Sequence, residues 1–512
     1  MPEVERAPGP LFSPSVFPAL LLALFPYAQQ EPTPLTVEEA ARLAAVNAPA
    51  TRQAGFAALA ARYGIREAAG AFDPVFFADS TWAYADRPAS GFQGDIFATS
   101  ETNSLRGEQG IRAALMSGGS LSLSLREDYS DSTMTEVIGS FSDARTESDL
   151  SLNFAFTQPL LRGAWALTAT QGLRSAELGF RQSLASLNQA ALDGVQQAVE
   201  AYWDLAFALE DVEVKKFSLK LAEELRDVTR ARFEVGSVAE VELVQTEADI
   251  ASREDALLTA RNTVHQAQDG LRLLLYGLEE DEEWGVVFET VSVPPTPVPA
   301  EVSWEAALKE SISSRPDLKS FRFQVAEKEL AWKVAQEGIQ PKLDMVAAGN
   351  FYGQDDQVGA AFSSMADWDF PGFSFGLNLE IPFANAALSG AERRAWNDYR
   401  LAVRQLRDQE NEVARATRDA VRGVDYLAER VAATRKASQV AERQLEAEQR
   451  RLREGASTNF QVLQFQEDLV SAQTAEAGAR MGYAKAVALL NTVRGRNWNG
   501  EKSSPARIPE EN

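Results

Sequence analysis

Two long stretches of the chain contain no proline and carry apolar residues at helical spacing. They cover residues 167–235 and 386–454. In the first stretch the apolar stripe runs through Leu187, Ala191, Val195, Ala198, Tyr202, Leu205, Leu209 and Val212. Steps of three and four place these side chains on one face of a helix. Each stretch ends at a glycine, Gly236 or Gly455, after which helical spacing resumes. The pattern predicts two long helical hairpins.

The predicted helices have matched lengths. The returning helices, residues 240–276 and 459–494, are about half as long as the stretches that precede them. The opening helices, residues 36–71 and 303–338, are also about half as long. At about 1.5 Å per residue, an opening helix and a returning helix stacked end to end match one long helix of about 100 Å. Rods of this length predict a tube that spans the periplasm.

Strand-like runs lie between the opening and the long helices. The apolar and polar residues mix or alternate in four runs: 75–84, 150–157, 343–352 and 373–380. Alternation over about 9–11 residues is typical of a membrane β-barrel strand, although a half-buried strand of a soluble sheet has the same pattern.

The order of these elements repeats along the chain. Pro49 and Pro74 of the first half correspond to Pro316 and Pro341 of the second, and the matched glycines mark both hairpin tips. We therefore predict a duplication with five segments: a signal peptide at 1–28, a first repeat at 29–276, an acidic and proline-rich extended linker at 277–301, a second repeat at 302–495, and a disordered tail at 496–512.

The N-terminal segment favours export. Its apolar core, from Val16 to Phe25, is too short to span a bilayer as a helix and suits a signal peptide, with Ala28 before the cleavage site. Arg6 is the single basic residue ahead of this core, which is a weak feature for a signal peptide.

Composition excludes several classes of function. The chain of 512 residues has 50 Lys+Arg against 74 Asp+Glu, and this net charge of -24 argues against nucleic-acid binding. It has no cysteine and one histidine, His265, so thiolate chemistry, multi-histidine metal sites and a histidine-based triad are disfavoured. We predict no catalytic residue, no metal site and no cofactor.

With these features, the chain resembles the TolC-type outer-membrane efflux protein family. The resemblance covers residues 35 to about 495 and is most specific at Phe156-Thr-Gln-Pro-Leu-Leu-Arg-Gly and at the tips Phe233-Glu-Val-Gly and Leu452-Arg-Glu-Gly. It implies an α+β, mainly α fold, in which duplicated strand–helix-hairpin halves form a trimeric outer-membrane β-barrel continued by a long periplasmic α-helical barrel. The implied function is that of an exit duct, with a homotrimer in outer-membrane lipid that docks a periplasmic adaptor protein and an inner-membrane pump.

One departure from the family lies in the first half. The family usually has two strands in each half, but here residues 85–149 form an extra stretch that contains two strand-like runs separated by Ser117-Gly-Gly. We predict an added β-hairpin flanked by extracellular loop, and the sequence leaves open whether it enlarges the barrel or lies outside it.

The resemblance also assigns candidate site residues at the tips. Family members close the periplasmic entrance with acidic rings just after the second tip glycine, and this chain has neutral amides there. The candidate constriction residues are Gln461, Gln464, Glu242 and Gln245. The candidate adaptor-docking residues are Val235, Gly236, Ser237, Gly455, Ala456 and Ser457. For each set, a solvated helix face or an ordinary turn between helices is the alternative.

Two other classes of protein share some of these features. A soluble periplasmic coiled-coil scaffold or adaptor would explain the heptads, such as Leu243, Ile250 and Leu257 at steps of seven. It would not explain alternating strands that end before a proline in both halves. An enzyme is disfavoured, because no nucleophile with a base and no phosphate-binding loop stands out.

Overall fold

The computed structural model describes residues 32–90, 97–136, 142–277, 284–300, 303–502 and 505–508. The signal peptide predicted at 1–28 and the acidic run of the linker, residues 279–283, lie outside the described residues. The helices are α1 (Val37–Asn47), α2 (Pro49–Ala69), α3 (Trp165–Ala169), α4 (Gln171–Glu234), α5 (Glu240–Tyr276), α6 (Trp304–Ser314), α7 (Pro316–Gly338), α8 (Val358–Ala366), α9 (Ala386–Arg453) and α10 (Asn459–Val493). The strands are β1 (Thr33–Leu35), β2 (Val75–Ser90), β3 (Phe97–Ala114), β4 (Ser120–Glu136), β5 (Ser142–Pro159), β6 (Phe288–Thr290), β7 (Lys342–Asp355) and β8 (Phe370–Glu380).

The helices follow the predicted plan. The two long helices α4 and α9 contain 64 and 68 residues, and each returns through a shorter helix, α5 or α10. Each opening helix is divided in two at the proline that starts its second part, Pro49 or Pro316, since a proline fits the first turn of a helix but not its interior. The hydroxyls of Thr36 and Ser303 cap the first parts by accepting from the N–H groups of Glu39 and Ala306.

The helices form two rows that share α4 and α9. Near the sheet, α2 packs on α4, α4 on α7 and α7 on α9. Near the hairpin tips, α5 packs on α4, α4 on α10 and α10 on α9. Each row therefore has four helices, and each shorter helix covers about half of a long one.

The central hydrophobic core lies where the shorter helices meet. The fully buried Tyr202 of α4 packs there beside Leu271 and Leu275 of α5. Its hydroxyl donates to the carbonyl of Leu35 at 3.1 Å and accepts from the N–H of Ser292 at 2.9 Å. Tyr202 thus binds α4 to the C-terminal ends of both strands of a two-stranded parallel sheet formed by β1 and β6. The strand β6 lies within the linker, which the sequence predicts to be entirely extended.

The joint between α7 and α10 is held by a charged pair. The Arg315 guanidinium donates from Nε and Nη2 to the carboxylate of Asp317 at 2.9 and 2.7 Å, and from Nη1 to the carbonyl of Val493 at 3.4 Å. Burial raises the pKa of Asp317, but hydrogen bonds and charge from Arg315, with further hydrogen bonds from Leu318 and Gln409, hold it below its usual value. Arg315 therefore satisfies a terminal carbonyl of α10 and a carboxylate at the start of α7.

The joint in the first half uses different residues for the same purpose. Asn47 donates to the carbonyl of Leu275 at 2.8 Å, and Arg52 donates to the carbonyl of Tyr276 at 3.3 Å. Both carbonyls belong to the last turn of α5, where intrahelical partners are missing. In each half, side chains from the opening helices cap the returning helix.

The second sheet has six antiparallel strands in the order β2-β3-β4-β5-β7-β8. Its two faces differ in polarity. One face presents Phe76, Trp82, Leu105, Ile111, Leu121, Leu123, Leu152, Phe154, Met345, Phe373, Phe375, Leu377 and Leu379. The opposite face of β4 and β5 presents Ser122, Ser124, Arg126, Asp128, Ser151 and Asn153. Because successive side chains of a strand point to opposite faces, the alternation in the sequence becomes an apolar and a polar surface.

The extra hairpin lies inside the sheet. β3 and β4 stand between β2 and β5, and the chain turns between them at Ser117–Gly118, as the sequence predicts. The strands of the first half have 16 to 18 residues rather than about ten, and they extend into the region predicted as loop. That part of the prediction was wrong because glycine, serine and aspartate are typical of turns and loops, whereas here the pairing with neighbouring strands satisfies their backbones.

A short helix covers part of the apolar face. α8 buries Ala361 and Met365 against Leu150 of β5. Gly353 of β7 permits this approach, since a Cβ at that position would lie 2.0 Å from the carbonyl oxygen of Ala361. Among the described residues, no helix combines the length and the apolar composition needed to cross a membrane.

The C-terminal segment packs against the helices, contrary to the predicted disorder of 496–512. Trp498 packs on the central core, and its carbonyl accepts a hydrogen bond from Asn491 at 2.9 Å. The N–H of Ala506 donates to Asn188 of α4 at 2.7 Å. The prediction of disorder was therefore wrong for the described part of the segment. It rested on the polar composition of the tail, whereas one aromatic side chain, Trp498, attaches the segment to the core.

We predict that Arg315→Gln destabilises the protein by about 1–3 kcal/mol at neutral pH, because it leaves the carboxylate of Asp317 largely buried without its cation. Since folding lowers the pKa of Asp317, the stabilisation is complete above its ordinary pKa of about 4 and is lost as the pH falls through the lowered value. The difference between wild type and variant, measured by thermal unfolding in detergent, should therefore shrink below about pH 4.

The matched control for this prediction is Arg404→Gln, which breaks an exposed pair with Asp408 whose side chains are 73% and 56% exposed. An exposed pair contributes well under about 1 kcal/mol, so the control should differ little from wild type. Equal destabilisation by both variants, or a difference that grows at low pH, would contradict the role given to Arg315.

Candidate functional site

The two hairpin tips have the same backbone geometry. The turns join α4 to α5 and α9 to α10, and Gly236 and Gly455 adopt φ values of 72° and 75°. In each turn the N–H after the glycine donates five residues back, Ser237 to Arg232 and Ala456 to Arg451, both at 2.8 Å. A left-handed residue followed by this bond is the Schellman ending of a helix, and glycine adopts it without a steric penalty. The sequence predicts that each long helix ends at one of these glycines, and the structure has a turn at both.

The helices that leave the tips begin differently. α10 starts with a capping box, in which the Thr458 hydroxyl accepts from the N–H of Gln461 at 3.3 Å and the Gln461 side chain accepts from the N–H of Thr458 at 3.4 Å. Ser457 also donates to the Gln461 side chain at 3.0 Å. α5 starts at Ala239, which has no side chain able to cap it. The side-chain oxygen of Gln461 is therefore occupied by hydrogen bonds at the start of its own helix.

A buried hydrogen-bond network joins the two tips. Asn459 is 2% exposed, and its Nδ2 donates to the Glu242 carboxylate at 2.9 Å and to the Thr229 hydroxyl at 3.0 Å. Arg232 adds a bond to the carbonyl of Leu452 at 3.4 Å. Glu242, a candidate constriction residue, thus contacts the other hairpin through Asn459.

Asn459 is not among the site residues that the sequence predicts. It lies in the first turn of α10, where asparagine reads as an ordinary residue at a helix start. Its Oδ1 is buried and has no hydrogen-bond partner within the described part of the chain. One feature of the sequence could have identified it. Asn459 and Glu240 occupy equivalent positions in the two halves, and the side chain differs between them.

The remaining candidate constriction residues, Gln464 and Gln245, are exposed on their helices. They occupy equivalent positions in the two halves, each nine residues after its tip glycine. Of the four candidates, the structure therefore engages Gln461 and Glu242 in contacts within the tip and leaves these two amides facing solvent in the single chain.

The docking candidates form an exposed surface that contains apolar side chains. Val235 is 75% exposed, Gly236, Ser237, Gly455 and Ala456 are exposed, and Ser457 is half-buried. Beside them lie further exposed apolar side chains, namely Val241, Val244 and Phe460. Exposed apolar residues at the end of a long hairpin are typical of a protein contact surface.

Charge is also concentrated at the second tip. Arg450, Arg451 and Arg453 lie in the last turn of α9, where cations stabilise the helix terminus. The buried Glu448 is balanced by Arg451, which donates to it at 3.2 Å, and by the hydroxyl of Ser457. Within the described residues, no group of three or more histidine, cysteine, aspartate or glutamate side chains is arranged to hold a metal ion.

The sequence matches a known family model over both halves. The model, described as outer membrane efflux protein, matches residues 116–276 and 307–496, which together cover more than two thirds of the chain. The two matched segments include both long hairpins and their tips. The family resemblance inferred from the sequence is confirmed.

Individual proteins agree with this match. The chain is 24% identical over 356 residues to the pyoverdine export outer membrane protein OpmQ of Pseudomonas putida, which covers 66% of this chain and 69% of that protein. The fold is similar to that of the outer membrane protein VceC of Vibrio cholerae, with a TM-score of 0.65, 16% identity, and coverage of 91% of this chain and 96% of that one. It is also similar to the CmeC outer membrane channel of Campylobacter jejuni, with a TM-score of 0.64, 15% identity, and coverage of 91% and 86%.

We predict that Asn459→Asp separates the two tips. The substitution replaces a donor by a carboxylate next to the carboxylate of Glu242, so that two hydrogen bonds are replaced by a repulsion. Hydrogen exchange of the backbone amides in the first turns of α5 and α10 should become about tenfold faster or more, and the effect should weaken at acidic pH as the carboxylates protonate.

Two further variants make this test specific. Asn459→Ala removes the bonds without adding charge and should give a smaller acceleration that does not depend on pH. Asn397→Asp introduces the same charge at an exposed position of α9 and should leave exchange at the tips unchanged. If Asn459→Asp protects the tip amides as well as wild type does, Asn459 does not hold the tips together.

Proposed function

The chain belongs to the outer membrane efflux protein family, and from this premise we propose that three copies assemble into the exit duct of a tripartite efflux or type I secretion system. The protein is an outer-membrane efflux channel whose helical part extends into the periplasm. Its partners in this proposal are two further copies of the chain, a periplasmic adaptor protein, an inner-membrane pump and the lipid of the outer membrane.

The observation that carries the proposal is the division of the six-stranded sheet into two faces. An apolar face, with Phe375 and Leu377 84% and 67% exposed, suits the hydrocarbon of a membrane. The polar face, with Ser122, Arg126 and Asp128, suits a water-filled lumen. A sheet of a soluble scaffold would need its apolar side chains covered by other parts of the protein.

The helices support the passage through the periplasm. α4 and α9 run without interruption from the sheet to the tips, and at 64 and 68 residues they span about 100 Å. Such a tube performs no chemistry, so the energy for transport must come from the pump. The proposal gives the protein a passive role as an aqueous path for substrate.

The tips are the proposed contact with the adaptor protein. The exposed valines Val235 and Val241 offer apolar area, and the matched turns at Gly236 and Gly455 present two similar surfaces side by side. A periplasmic partner with a hairpin of its own would find complementary ridges and grooves there. Val235, Gly236, Ser237, Gly455, Ala456 and Ser457 are the proposed docking residues.

The proposed constriction is a ring of glutamines near the tips. Gln464 and Gln245 are exposed and equivalent in the two halves, so three copies would contribute three amides at each level. Gln461 and Glu242 act within the tip, through the capping box and the bond to Asn459, and position the helices that carry this ring. Neutral amides would narrow the path without strong selection for cations.

The experiment that tests the proposed function is membrane fractionation of the full-length chain, followed by the mass of the detergent-extracted species. A trimer recovered from the outer membrane is the expected result. A monomer or dimer in the soluble periplasmic fraction would contradict the proposal and favour a coiled-coil scaffold.

We predict that Gln464→Glu makes the channel more selective for cations and severalfold more sensitive to block by Mg²⁺, because a ring of carboxylates attracts and binds divalent cations that amides bind poorly. The measurements are the reversal potential in a salt gradient and the single-channel current with Mg²⁺ added on the side of the tips.

The matched control is Gln439→Glu, which adds the same charge on α9 at a position about 24 Å from the tip glycine along the helix. It should change Mg²⁺ block much less. Equal effects of both variants, or none from Gln464→Glu, would remove Gln464 from the constriction.

A further inference from the structure

The sheet has two edge strands whose outer sides have no strand partner among the described residues. β2 pairs with β3 alone and β8 pairs with β7 alone. The sheet is therefore open within one chain, since β2 and β8 do not pair with each other. Open edges with long exposed backbones invite pairing with another chain.

The apolar face of the sheet continues to both edges. On β8, Phe373, Phe375, Leu377 and Leu379 are between 61% and 84% exposed, and on β2, Phe76 and Trp82 are each 67% exposed. All these side chains lie on the same face of the sheet as the apolar residues of the four inner strands. A membrane-facing band therefore runs unbroken from one edge to the other and would continue across a joint between copies.

The direction of the strands permits such a joint. All neighbouring strands are antiparallel, and the sheet has an even number of them, so β2 and β8 run in opposite directions. An identical copy placed beside the first can therefore pair its β2 with β8 of its neighbour in the antiparallel manner of the rest of the sheet.

The inserted hairpin belongs to the wall of the sheet. β3 pairs with β2 along the full length of β2, and β4 pairs with β5 from Ser120 to Thr135. Both strands keep the alternation of their neighbours, with Leu121, Leu123 and Leu125 on the apolar face and Ser120, Ser122 and Ser124 on the polar face. A hairpin that projected out of a barrel would have no reason to keep this pattern in register.

We propose that β8 of each protomer pairs with β2 of the next, so that three copies with six strands each close an 18-stranded barrel. This inference rests on the trimer of the proposed function and goes beyond it. Four strands per protomer would give a barrel of 12, so the hairpin of β3 and β4 supplies one third of the wall.

The dimensions of the two parts of the duct agree with this number. Eighteen strands about 4.8 Å apart and tilted by about 40° have a circumference of about 110 Å, whereas 12 strands have about 75 Å. Four helices per protomer form each row, and 12 helices about 9–10 Å apart have a circumference of about 110–120 Å. An 18-stranded barrel therefore continues the helical tube at nearly the same width, with a diameter of about 36 Å between opposite backbones.

The wider barrel exposes charged side chains of the hairpin to the lumen. Arg106, Arg126 and Asp128 lie on the polar face and are linked by ion pairs, that between Arg126 and Asp128 being 2.7 Å long. Arg112 and Glu108 lie on the same face of β3. The insertion would thus change the charge of the lumen as well as its width.

The experiment that tests the inference is electron cryomicroscopy of the detergent-extracted full-length protein, with the strands counted in cross-section. The expected result is a trimer with 18 strands and a backbone diameter of about 36 Å. A trimer with 12 strands and the hairpins outside the wall would overturn the inference but leave the exit duct intact. A particle that is not a trimer would overturn both.

A deletion provides the matched variant. Removal of residues 91–141, with Ser90 joined to Ser142 through an Asn-Gly turn, pairs the ends of β2 and β5 as a new antiparallel hairpin. The trimer should then have 12 strands and a diameter of about 24 Å, with a cross-sectional area reduced about twofold. An unchanged diameter would contradict the inference. If the variant does not assemble, the strand count of the wild type still decides.

Cysteine cross-linking tests the joint itself, since the natural chain has no cysteine. Ser374→Cys on β8 is combined in turn with Asp79→Cys, Thr81→Cys or Ala83→Cys on the same face of β2. One of the three pairs should link protomers into dimers and trimers on a non-reducing gel. The control pair Arg106→Cys and Asp128→Cys, which are cross-strand neighbours within one chain, should give monomers. Absence of linked species from a proven trimer would exclude the joint between β8 and β2.

Discussion

The architecture depends on two uninterrupted helices to which the other helices are matched in length. α4 and α9 have 64 and 68 residues, and the shorter helices cover them in pairs that meet near their middles, α2 with α5 and α7 with α10. Wherever two helices meet end to end, the last carbonyls of one of them lose their intrahelical partners and must be satisfied by other groups. The joints supply these groups from arginine and asparagine side chains of the opening helices, and the central core around Tyr202 forms where the shorter helices abut. The length of the tube and the position of its core thus follow from one constraint.

The number of strands inserted into the sheet has to be even. Insertion of two strands keeps every later strand running in its original direction, whereas insertion of one strand would reverse β5 and separate it from the helix that follows. The inserted strands must also keep apolar and polar side chains alternating in register with their neighbours, because a shift of one residue would move leucines such as Leu123 to the polar face. The hairpin of β3 and β4 meets both conditions, which explains how one half of a duplicated chain can gain strands while the other half keeps two.

The sequence predicted the helices well because proline, glycine and heptad spacing act locally. The ends of α5 and α10 and the positive φ of Gly236 and Gly455 follow from residues close to each terminus. The full length of the strands did not follow from the sequence, since it depends on neighbours far along the chain that satisfy backbone groups of poor strand formers. The contact of Asn459 with Glu242 was missed for the same reason, because it joins residues more than 200 positions apart. Residues close together in the sequence thus predicted the helices and turns of the tips, whereas the contacts between the tips depend on residues far apart in the sequence.

The duplication leaves the two tips alike in backbone but different in how their helices are held. α10 has a capping box at Thr458, and such a cap stabilises a helix start by about 1 kcal/mol, whereas α5 begins at Ala239 without side-chain capping. The first turn of α5 therefore depends more on its contact with the second hairpin, through Glu242 and Asn459, than on its own terminus. Duplication thus preserved the turn at each tip while the two caps diverged, so that the start of α5 relies on a contact between the hairpins and the start of α10 relies on bonds within its own terminus.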